Sequence, residues 1–335
     1  ARAAGRCAGA RHVRPRRLVE QPVPQRGAGR PAGRGRARRC LPGRSGRRMA
    51  GRAHGAAKPQ PSHPVHRYDA ARSGTRHRGR WRTGLGDFSL KLLRFVLRLA
   101  LVLPLIVFGL FCVGVVYPFI RPAARAWLNR TWSRALMAAC GLKVVFKGDP
   151  RMTGPVLLVA NHVSWIDIFV LNSARPTSFV AKSEIRKWPV IGWLVAGAGT
   201  LFIERGQRHA VHAMGEAMQA RFKLGDAVGL FPEGTTTEGF ELLPFHASLF
   251  EPARSAAVEI QPVALRFLRH GKRDGFAAFV GDESLVANLW RVLGATGLSV
   301  EVVFLPVLPA RHPDGSLPTR LELSHQARNE ILSVL

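Results

Sequence analysis

The sequence predicts an α/β fold with a mixed sheet flanked by helices, preceded by an N-terminal membrane-anchoring helical segment. From residue 142 onward, short β-branched and aliphatic runs alternate with helical periods. Before them lies an uncharged apolar run at residues 100–120. Further upstream, the composition becomes strongly basic. These shifts divide the chain into a tail (1–86), an anchor region (87–135), a catalytic-type domain (142–310) and a C-terminal helical tail (311–335).

The basic tail at 1–86 is rich in Arg, Gly and Pro. It holds 23 Lys and Arg against two acids, so that +21 of the net charge of +29 lies there. We expect this tail to be disordered, because it has too few apolar side chains to offset the entropy lost on ordering. Phosphate contacts to nucleic acid or anionic lipid are one reading, but a solvated tail without a role is the simpler one. The first methionine is Met49, and whether the tail is genuine coding sequence stays open.

The anchor region at 87–135 is expected to associate with a membrane. Lys91, Arg94 and Arg98 share one face of an otherwise apolar helix, the pattern of a helix that lies on a membrane surface. The 21 uncharged residues at 100–120 are enough to cross the hydrocarbon core. Basic residues flank this run on both sides, which favours a hairpin or re-entrant segment over a single span. Both arrangements stay open.

The elements of the 142–310 region follow from local patterns. A helix is predicted over 209–222, because Met214, Met218 and Phe222 share one face. One predicted strand ends directly at His162, and open α/β sheets place their ligand sites at strand ends of this kind. The predicted strands are 144–146, 156–160, 177–181, 200–203, 227–231, 258–265 and 298–305.

His162 and Asp167, five positions apart, are the candidate catalytic pair. A carboxylate that accepts a hydrogen bond from one imidazole nitrogen fixes the tautomer, so that the other nitrogen can act as a general base. No Ser, Cys or Lys stands beside the pair in a nucleophile-elbow pattern. This favours a histidine that activates a substrate hydroxyl over one that activates a protein nucleophile. A core histidine with a helix-capping aspartate is the alternative.

Four motifs in order resemble the glycerolipid acyltransferase family, and 1-acylglycerol-3-phosphate O-acyltransferases in particular. They are NHxxxxD at 161–167, FIxR at 202–205, FPEGT at 231–235 and a strand with QPV at 261–263. The resemblance implies a membrane enzyme that moves a fatty acyl group from acyl-CoA or acyl carrier protein to 1-acylglycerol-3-phosphate, giving phosphatidic acid. We expect a bacterial-type inner membrane, with the catalytic domain facing the cytoplasm.

The resemblance also assigns roles to residues. His162 is implied to be the general base and Asp167 its orienting partner. Arg205 resembles the family's phosphate-binding arginine, with a surface ion pair as its alternative. The implied acceptor-binding block comprises Glu233, Gly234, Thr235 and Thr236.

The acceptor stays open, because the chain departs from the commonest form of this block. A basic residue often follows the first threonine in the family, but here Thr236 and Thr237 stand in that place. Hydroxyls can donate to phosphate but bring no charge. Lyso-ornithine lipid or another lysolipid is therefore an alternative acceptor.

No cofactor or metal is expected, because alcoholysis of a thioester by this route needs neither and the sequence has no cluster of metal ligands. The four cysteines form no CxxC and no disulfide framework. A non-catalytic lipid-binding protein is the alternative of another class. His246 is expected to be structural, and Trp188 and Trp193 are expected at the membrane interface or in the core.

Overall fold

The computed structural model describes residues 84–188, 190–203 and 208–335. The predicted role of Arg205 and the predicted disorder of residues 1–83 therefore lie outside the described residues, whereas residues 84–86 of the predicted tail begin a helix. The helices are α1 (Gly84–Phe111), α2 (Pro122–Ala139), α3 (Asp167–Ala174), α4 (Ser183–Arg186), α5 (Ile191–Gly197), α6 (Arg208–Lys223), α7 (Glu251–Ser255), α8 (Leu285–Gly294) and α9 (Arg320–Leu332). The strands are β1 (Lys143–Lys147), β2 (Val156–Ala160), β3 (Thr177–Lys182), β4 (Leu201–Ile203), β5 (Ala227–Leu230), β6 (Ile260–Arg269), β7 (Lys272–Arg273) and β8 (Leu298–Phe304).

The strands form one mixed sheet in the order β1-β8-β6-β2-β5-β3-β4, with β7 paired to β6. The pairings β6–β8 and β6–β7 are antiparallel, and the others are parallel. Every residue of the central strands β2 and β5 is buried. This burial explains why their sequences are continuous apolar runs, as is usual where both faces of a strand are covered. The mixed α/β fold predicted from the sequence is confirmed.

Helices cover the sheet from both faces and enclose two apolar clusters. One cluster includes buried residues of α2, α3 and α8, such as Met137, Leu171 and Val292. The other includes buried residues of α6, α7 and α9, among them Met218 and Ile331. The C-terminal helical segment is therefore packed into the core through α9.

The register of the central strands brings two motifs together. The parallel pairing of β2 with β5 runs from Val156 opposite Ala227 to Val159 opposite Leu230. Both strands consequently end at the same edge of the sheet, where Asn161-His162 follows β2 and Phe231-Pro232-Glu233 follows β5. Two sequence segments that are about 70 residues apart thus become neighbours.

The N-terminal helices form a hairpin. Helix α1 continues through a π-helical turn (Cys112–Val116) and a 3-10 turn (Tyr117–Phe119). In the described part of the chain, Asp87–Phe119 is the one helix long and apolar enough to cross a membrane, and 17% of its most apolar stretch is buried. Helix α2 folds back along it, and the Trp132 indole N–H donates to the Leu105 carbonyl at 2.7 Å. Helix α1, with the two turns that continue it to Phe119, is apolar and largely exposed and is the candidate membrane anchor.

The basic stripe of α1 lies against the protein. Arg94 donates to the Gly294 carbonyl at 3.1 Å. Arg98 donates to the carbonyls of Leu293 at 3.0 Å and Ala295 at 2.6 Å. These carbonyls end α8, where the helix dipole carries partial negative charge that favours cations. The expectation that this stripe faces a membrane surface is therefore wrong, because the stripe instead fixes the C-terminal end of α8.

Candidate active site

The His162 imidazole and the Asp167 carboxylate are in direct contact. His162 Nδ1 lies 2.8 Å from Asp167 Oδ2, within hydrogen-bond distance. The His162 side chain is 22% exposed, whereas Asp167 is completely buried. Since Nδ1 is held by the carboxylate, Nε2 is the ring nitrogen left to face a substrate. The geometry is the one that the general-base role requires.

The buried Asp167 carboxylate is stabilised by the turn that carries it. Besides the imidazole, Oδ2 accepts hydrogen bonds from the backbone N–H of Val163 at 2.7 Å and of Ser164 at 2.9 Å. Asp167 is also the first residue of α3, where the helix dipole favours negative charge. The five-residue spacing thus lets one carboxylate oxygen orient the imidazole and close the turn.

A stack of rings supports the imidazole from one side. The Phe231 ring lies parallel to that of His162, with centroids 4.1 Å apart and planes 11° apart. Phe179 stacks on Phe231 at 5.6 Å. A Cβ at Gly229 would come within 2.3 Å of the Phe179 ring, so this position on β5 requires glycine. The sequence signal for Phe231 was its place in the FPEGT motif, but its contact with the histidine was not predicted.

Glu233 braces the histidine loop through the backbone. Its Oε1 accepts from the His162 N–H at 2.8 Å, and its Oε2 accepts from the Leu243 N–H at 3.0 Å. Burial raises the pKa of this carboxyl, and its two backbone hydrogen bonds oppose that shift. Both carboxylate oxygens are thus engaged by the protein. The contacts observed for Glu233 hold two loops together at the catalytic edge.

The other residues of the predicted acceptor block differ in their exposure and in their contacts. Gly234 has φ of +75°, a left-handed conformation that glycine adopts without strain. The Thr235 side chain is exposed. The Thr236 hydroxyl donates to the Phe279 carbonyl at 2.5 Å. Thr235 is therefore open to a ligand, while the Thr236 hydroxyl is directed at the backbone.

Asn161 joins the site to the sheet. Its side-chain Oδ1 accepts from the Leu265 N–H at 2.7 Å, and its Nδ2 donates to the Leu265 carbonyl at 3.1 Å. The amide thus imitates a backbone group and continues the β2–β6 pairing by one step beyond Ala160. This contact gives the asparagine of the NHxxxxD motif a structural role.

The remaining candidate residues lie around this centre. The His246 ring is close to Gly234, since a Cβ there would come within 3.3 Å of His246 Nε2. His246 is exposed, and its backbone N–H donates to the Pro232 carbonyl at 3.0 Å. Trp188 is 41% exposed and Trp193 69%, so neither lies in the core.

The described geometry is suited to general-base activation of a hydroxyl group. An alcohol is a weak nucleophile at neutral pH, and a base that removes its proton during attack accelerates the reaction by about 10²–10⁴-fold. The His162 side chain is 22% exposed, and a carboxylate in contact with Nδ1 can stabilise an imidazolium that forms when Nε2 takes a proton. The neighbouring hydroxyl of Ser164 is buried and has no hydrogen-bond partner among the described residues.

Comparisons with known proteins agree with this geometry. The sequence model described as Acyltransferase matches residues 142–266. The lyso-ornithine lipid O-acyltransferase of Pseudomonas aeruginosa is 39% identical over 208 residues, which are 62% of this chain and 78% of that protein. The 1-acyl-sn-glycerol-3-phosphate acyltransferase of Neisseria meningitidis serogroup B is 36% identical over 198 residues, which are 58% of this chain and 77% of that protein.

A solved structure shares the fold. The crystal structure of the 1-acyl-sn-glycerophosphate acyltransferase from Thermotoga maritima aligns with a TM-score of 0.55 and 19% identity, covering 74% of this chain and 95% of that one. The fold, the sequence relatives and the paired histidine and aspartate together define an O-acyltransferase of lipid metabolism. The chain belongs to the glycerolipid acyltransferase family. The resemblance stated from the four motifs is thereby confirmed.

Proposed function

We propose that this chain transfers a fatty acyl group from a thioester to the free hydroxyl of a lysolipid, with His162 as general base and Asp167 as its orienting partner. The observation that carries the proposal is the 2.8 Å contact between His162 Nδ1 and the buried Asp167 carboxylate, in a domain of this family. The substrate oxygen attacks the thioester carbonyl as its proton passes to Nε2. The C–S bond of the donor then breaks, and the leaving thiolate takes the proton from the His162 imidazolium, so that a thiol is released and the neutral imidazole is restored.

The acceptor that we propose first is 1-acylglycerol-3-phosphate, which would give phosphatidic acid in phospholipid synthesis. Relatives with 36% and 38% identity carry this activity in their names. Arg205, if it occupies the phosphate-binding position of the family, supplies a planar fork for the phosphate oxygens. Thr235 is the member of the 235–237 hydroxyl run that is exposed to a ligand.

Lyso-ornithine lipid is the second candidate acceptor, and a specific observation favours it. The residue directly after Thr235 is Thr236 and not a basic residue, and the Thr236 hydroxyl already donates to the Phe279 carbonyl. The block therefore offers little to a phosphate. Relatives named lyso-ornithine lipid O-acyltransferases are 39% identical in both Pseudomonas aeruginosa and Rhizobium meliloti.

The donor and the location complete the proposal. Either acyl-CoA or acyl carrier protein supplies the thioester, and the chemistry that we propose requires no cofactor. The apolar helix α1 anchors the enzyme in a bacterial-type inner membrane, with the catalytic domain on the cytoplasmic side. Protease protection in spheroplasts tests this orientation: cleavage of the domain by an external protease in intact spheroplasts would contradict it.

The test of the proposed function is an acyl-transfer assay with every combination of two donors and two acceptors. Membranes containing the full chain or its His162→Ala variant receive a labelled acyl group on CoA or on acyl carrier protein, with each lysolipid in turn. We expect histidine-dependent product from at least one acceptor. Product from lyso-ornithine lipid alone would keep the mechanism and replace the first acceptor by the second, whereas no product from either would refute the proposal.

A further inference from the structure

The side chain of Trp165 lies within the NHxxxxD loop and reaches across to α8. It stands between His162 and Asp167 in the sequence, and its indole N–H donates to Asn288 Oδ1 at 2.9 Å. Its ring packs edge-on against Phe169 of α3, with centroids 6.1 Å apart. The loop that carries the catalytic pair is thus attached to a helix that lies more than 110 residues further along the chain.

Asn288 is completely buried, and its hydrogen bonds fix which way its amide points. Oδ1 accepts from Trp165, while Nδ2 donates to the Ala278 carbonyl at 2.9 Å and to Glu283 Oε2 at 2.9 Å. If the amide were flipped, its N–H₂ group would face the indole N–H of Trp165, so that a donor would face a donor. Its oxygen would face the Ala278 carbonyl and the Glu283 carboxylate, so that an acceptor would face acceptors. The residue therefore fits in one orientation only.

The segment held by Asn288 also belongs to the catalytic edge. The Phe279 N–H donates to the Val163 carbonyl at 2.9 Å, and the Phe279 carbonyl accepts from the Thr236 hydroxyl at 2.5 Å. Ala278 immediately precedes Phe279. Asn288 consequently ties together the histidine loop and the segment that contacts both this loop and the FPEGT turn.

Helix α8 is a firm support for this attachment. At its C-terminal end it is fixed to α1 by Arg94 and Arg98. Near Asn288, the Arg291 guanidinium bonds both the Ala278 carbonyl at 2.5 Å and the Glu283 carboxylate at 2.7 Å. A fixed support of this kind can transmit a constraint to the catalytic loop, whereas a mobile one could not.

We infer that Asn288 is a positioning residue for the acyl-transfer reaction, acting on His162 through Trp165. This inference rests on the proposed function. Asn288 sets the position of the loop, and Asp167 sets the tautomer of the imidazole. Loss of the Trp165–Asn288 bond would let the loop shift relative to the acceptor site, and a misplacement of about 1 Å costs on the order of 100-fold in rate.

The experiment uses Asn288→Leu and Trp165→Phe, each alone and together, in the full chain. Asn288→Leu removes the amide at similar size, and the Ala278 carbonyl keeps its bond from Arg291. Trp165→Phe replaces the indole by a smaller phenyl ring and so removes the N–H that donates to Asn288. Because the Trp165 ring is partly exposed, this variant serves if the first variant folds poorly. Val286→Ala is the matched control, because Val286 lies on the same helix and is 76% exposed.

We expect each single variant to lower kcat by between about tenfold and 100-fold with KM for the lysolipid unchanged. The double variant should lose no more than the more impaired single variant, because both remove the same bond. The Val286→Ala control should keep wild-type kcat. Wild-type kcat in either single variant, multiplied losses in the double variant, or a raised KM at constant kcat would overturn the inference.

A readout independent of activity separates this inference from the proposed function. Amide hydrogen exchange over residues 162–167 should become faster in Asn288→Leu and in Trp165→Phe, and stay unchanged in Val286→Ala. Unchanged exchange in the first two variants would overturn the inference even if their activity falls. If the wild type transfers no acyl group, the proposed function fails, and the exchange rates still decide whether Asn288 holds the loop.

Discussion

Replacement of Asp167 by asparagine removes a charge while keeping the shape of the catalytic pair. With its amide oxygen in the place of Oδ2, the new side chain can still accept from His162 Nδ1 and from the N–H groups of Val163 and Ser164. Its amide nitrogen would then occupy the place of Oδ1, which is buried without a partner in the described part of the chain. An unsatisfied buried donor costs about 1–3 kcal/mol of folding stability.

The expected effect on the reaction is larger than the effect on folding. Unit charges about 4 Å apart interact by about 4 kcal/mol at an effective dielectric constant of 20. The Asp167 carboxylate contributes this attraction to the imidazolium that forms as His162 takes the proton. Its loss from the transition state lowers kcat by about 1,000-fold, since about 1.4 kcal/mol corresponds to a factor of ten.

The assay is steady-state acyl transfer at saturating donor and acceptor, normalised to folded protein. Ser164→Ala is the matched control, because it removes a buried hydroxyl without a partner among the described residues and keeps the Ser164 N–H bond to Asp167. We expect near wild-type kcat in this control. A wild-type kcat in Asp167→Asn would refute the electrostatic argument, and an inactive Ser164→Ala would point to a serine nucleophile instead.

Three further predictions concern the surroundings of the pair. Glu233→Gln presents an amide N–H₂ to one of two backbone donors, so urea unfolding should show a loss of about 1.5–3 kcal/mol. Burial raises the pKa of Glu233 above its value in the unfolded chain. The contribution of this group to folding stability is therefore full below the unfolded pKa and is lost as the pH rises through the folded pKa. The Glu233→Gln variant should lack this loss of stability, and the same pH dependence of unfolding in wild type and variant would contradict the raised pKa of Glu233. Phe231→Leu should lower kcat by up to about tenfold with both KM values unchanged, because the ring stack on His162 is worth about 0.5–1.5 kcal/mol; a KM effect alone in steady-state kinetics would rule this out. Arg205→Ala should impair transfer to 1-acylglycerol-3-phosphate far more than to lyso-ornithine lipid, and an equal loss with both acceptors would argue against phosphate binding.

Most strands of the sheet could be predicted from the sequence, because they stand out as short apolar runs. The central strands β2 and β5 are buried on both faces and so appear as uninterrupted apolar runs. His162 and Glu233 lie two and three residues beyond the ends of these strands, and the parallel pairing of β2 with β5 places both segments at one edge of the sheet. The contact of His162 with Asp167 was likewise suggested by their spacing, since a turn of five residues is short enough to close on itself.

The contacts that hold the site in place could not be predicted from the sequence, because they involve backbone groups and segments that are far apart in the chain. Glu233 binds the N–H groups of His162 and Leu243, and no sequence pattern encodes which loop offers a free donor. Asn288 lies in α8, a mostly apolar helix that is not among the elements predicted from the sequence. The basic stripe of α1 was misassigned for a related reason: a cation suits a helix C-terminus as well as a lipid head group, and only the packing of α8 against α1 decides between them.

We propose above that His162 activates a lysolipid hydroxyl for direct attack on the acyl thioester. The most direct measurement is the release of free thiol from the donor by wild type and His162→Ala, with and without the lysolipid, followed from the first turnover. We expect release of thiol that requires both the lysolipid and His162, in equal amount to the acylated product. A burst of thiol equal to the enzyme concentration without acceptor, or undiminished release by His162→Ala, would contradict it.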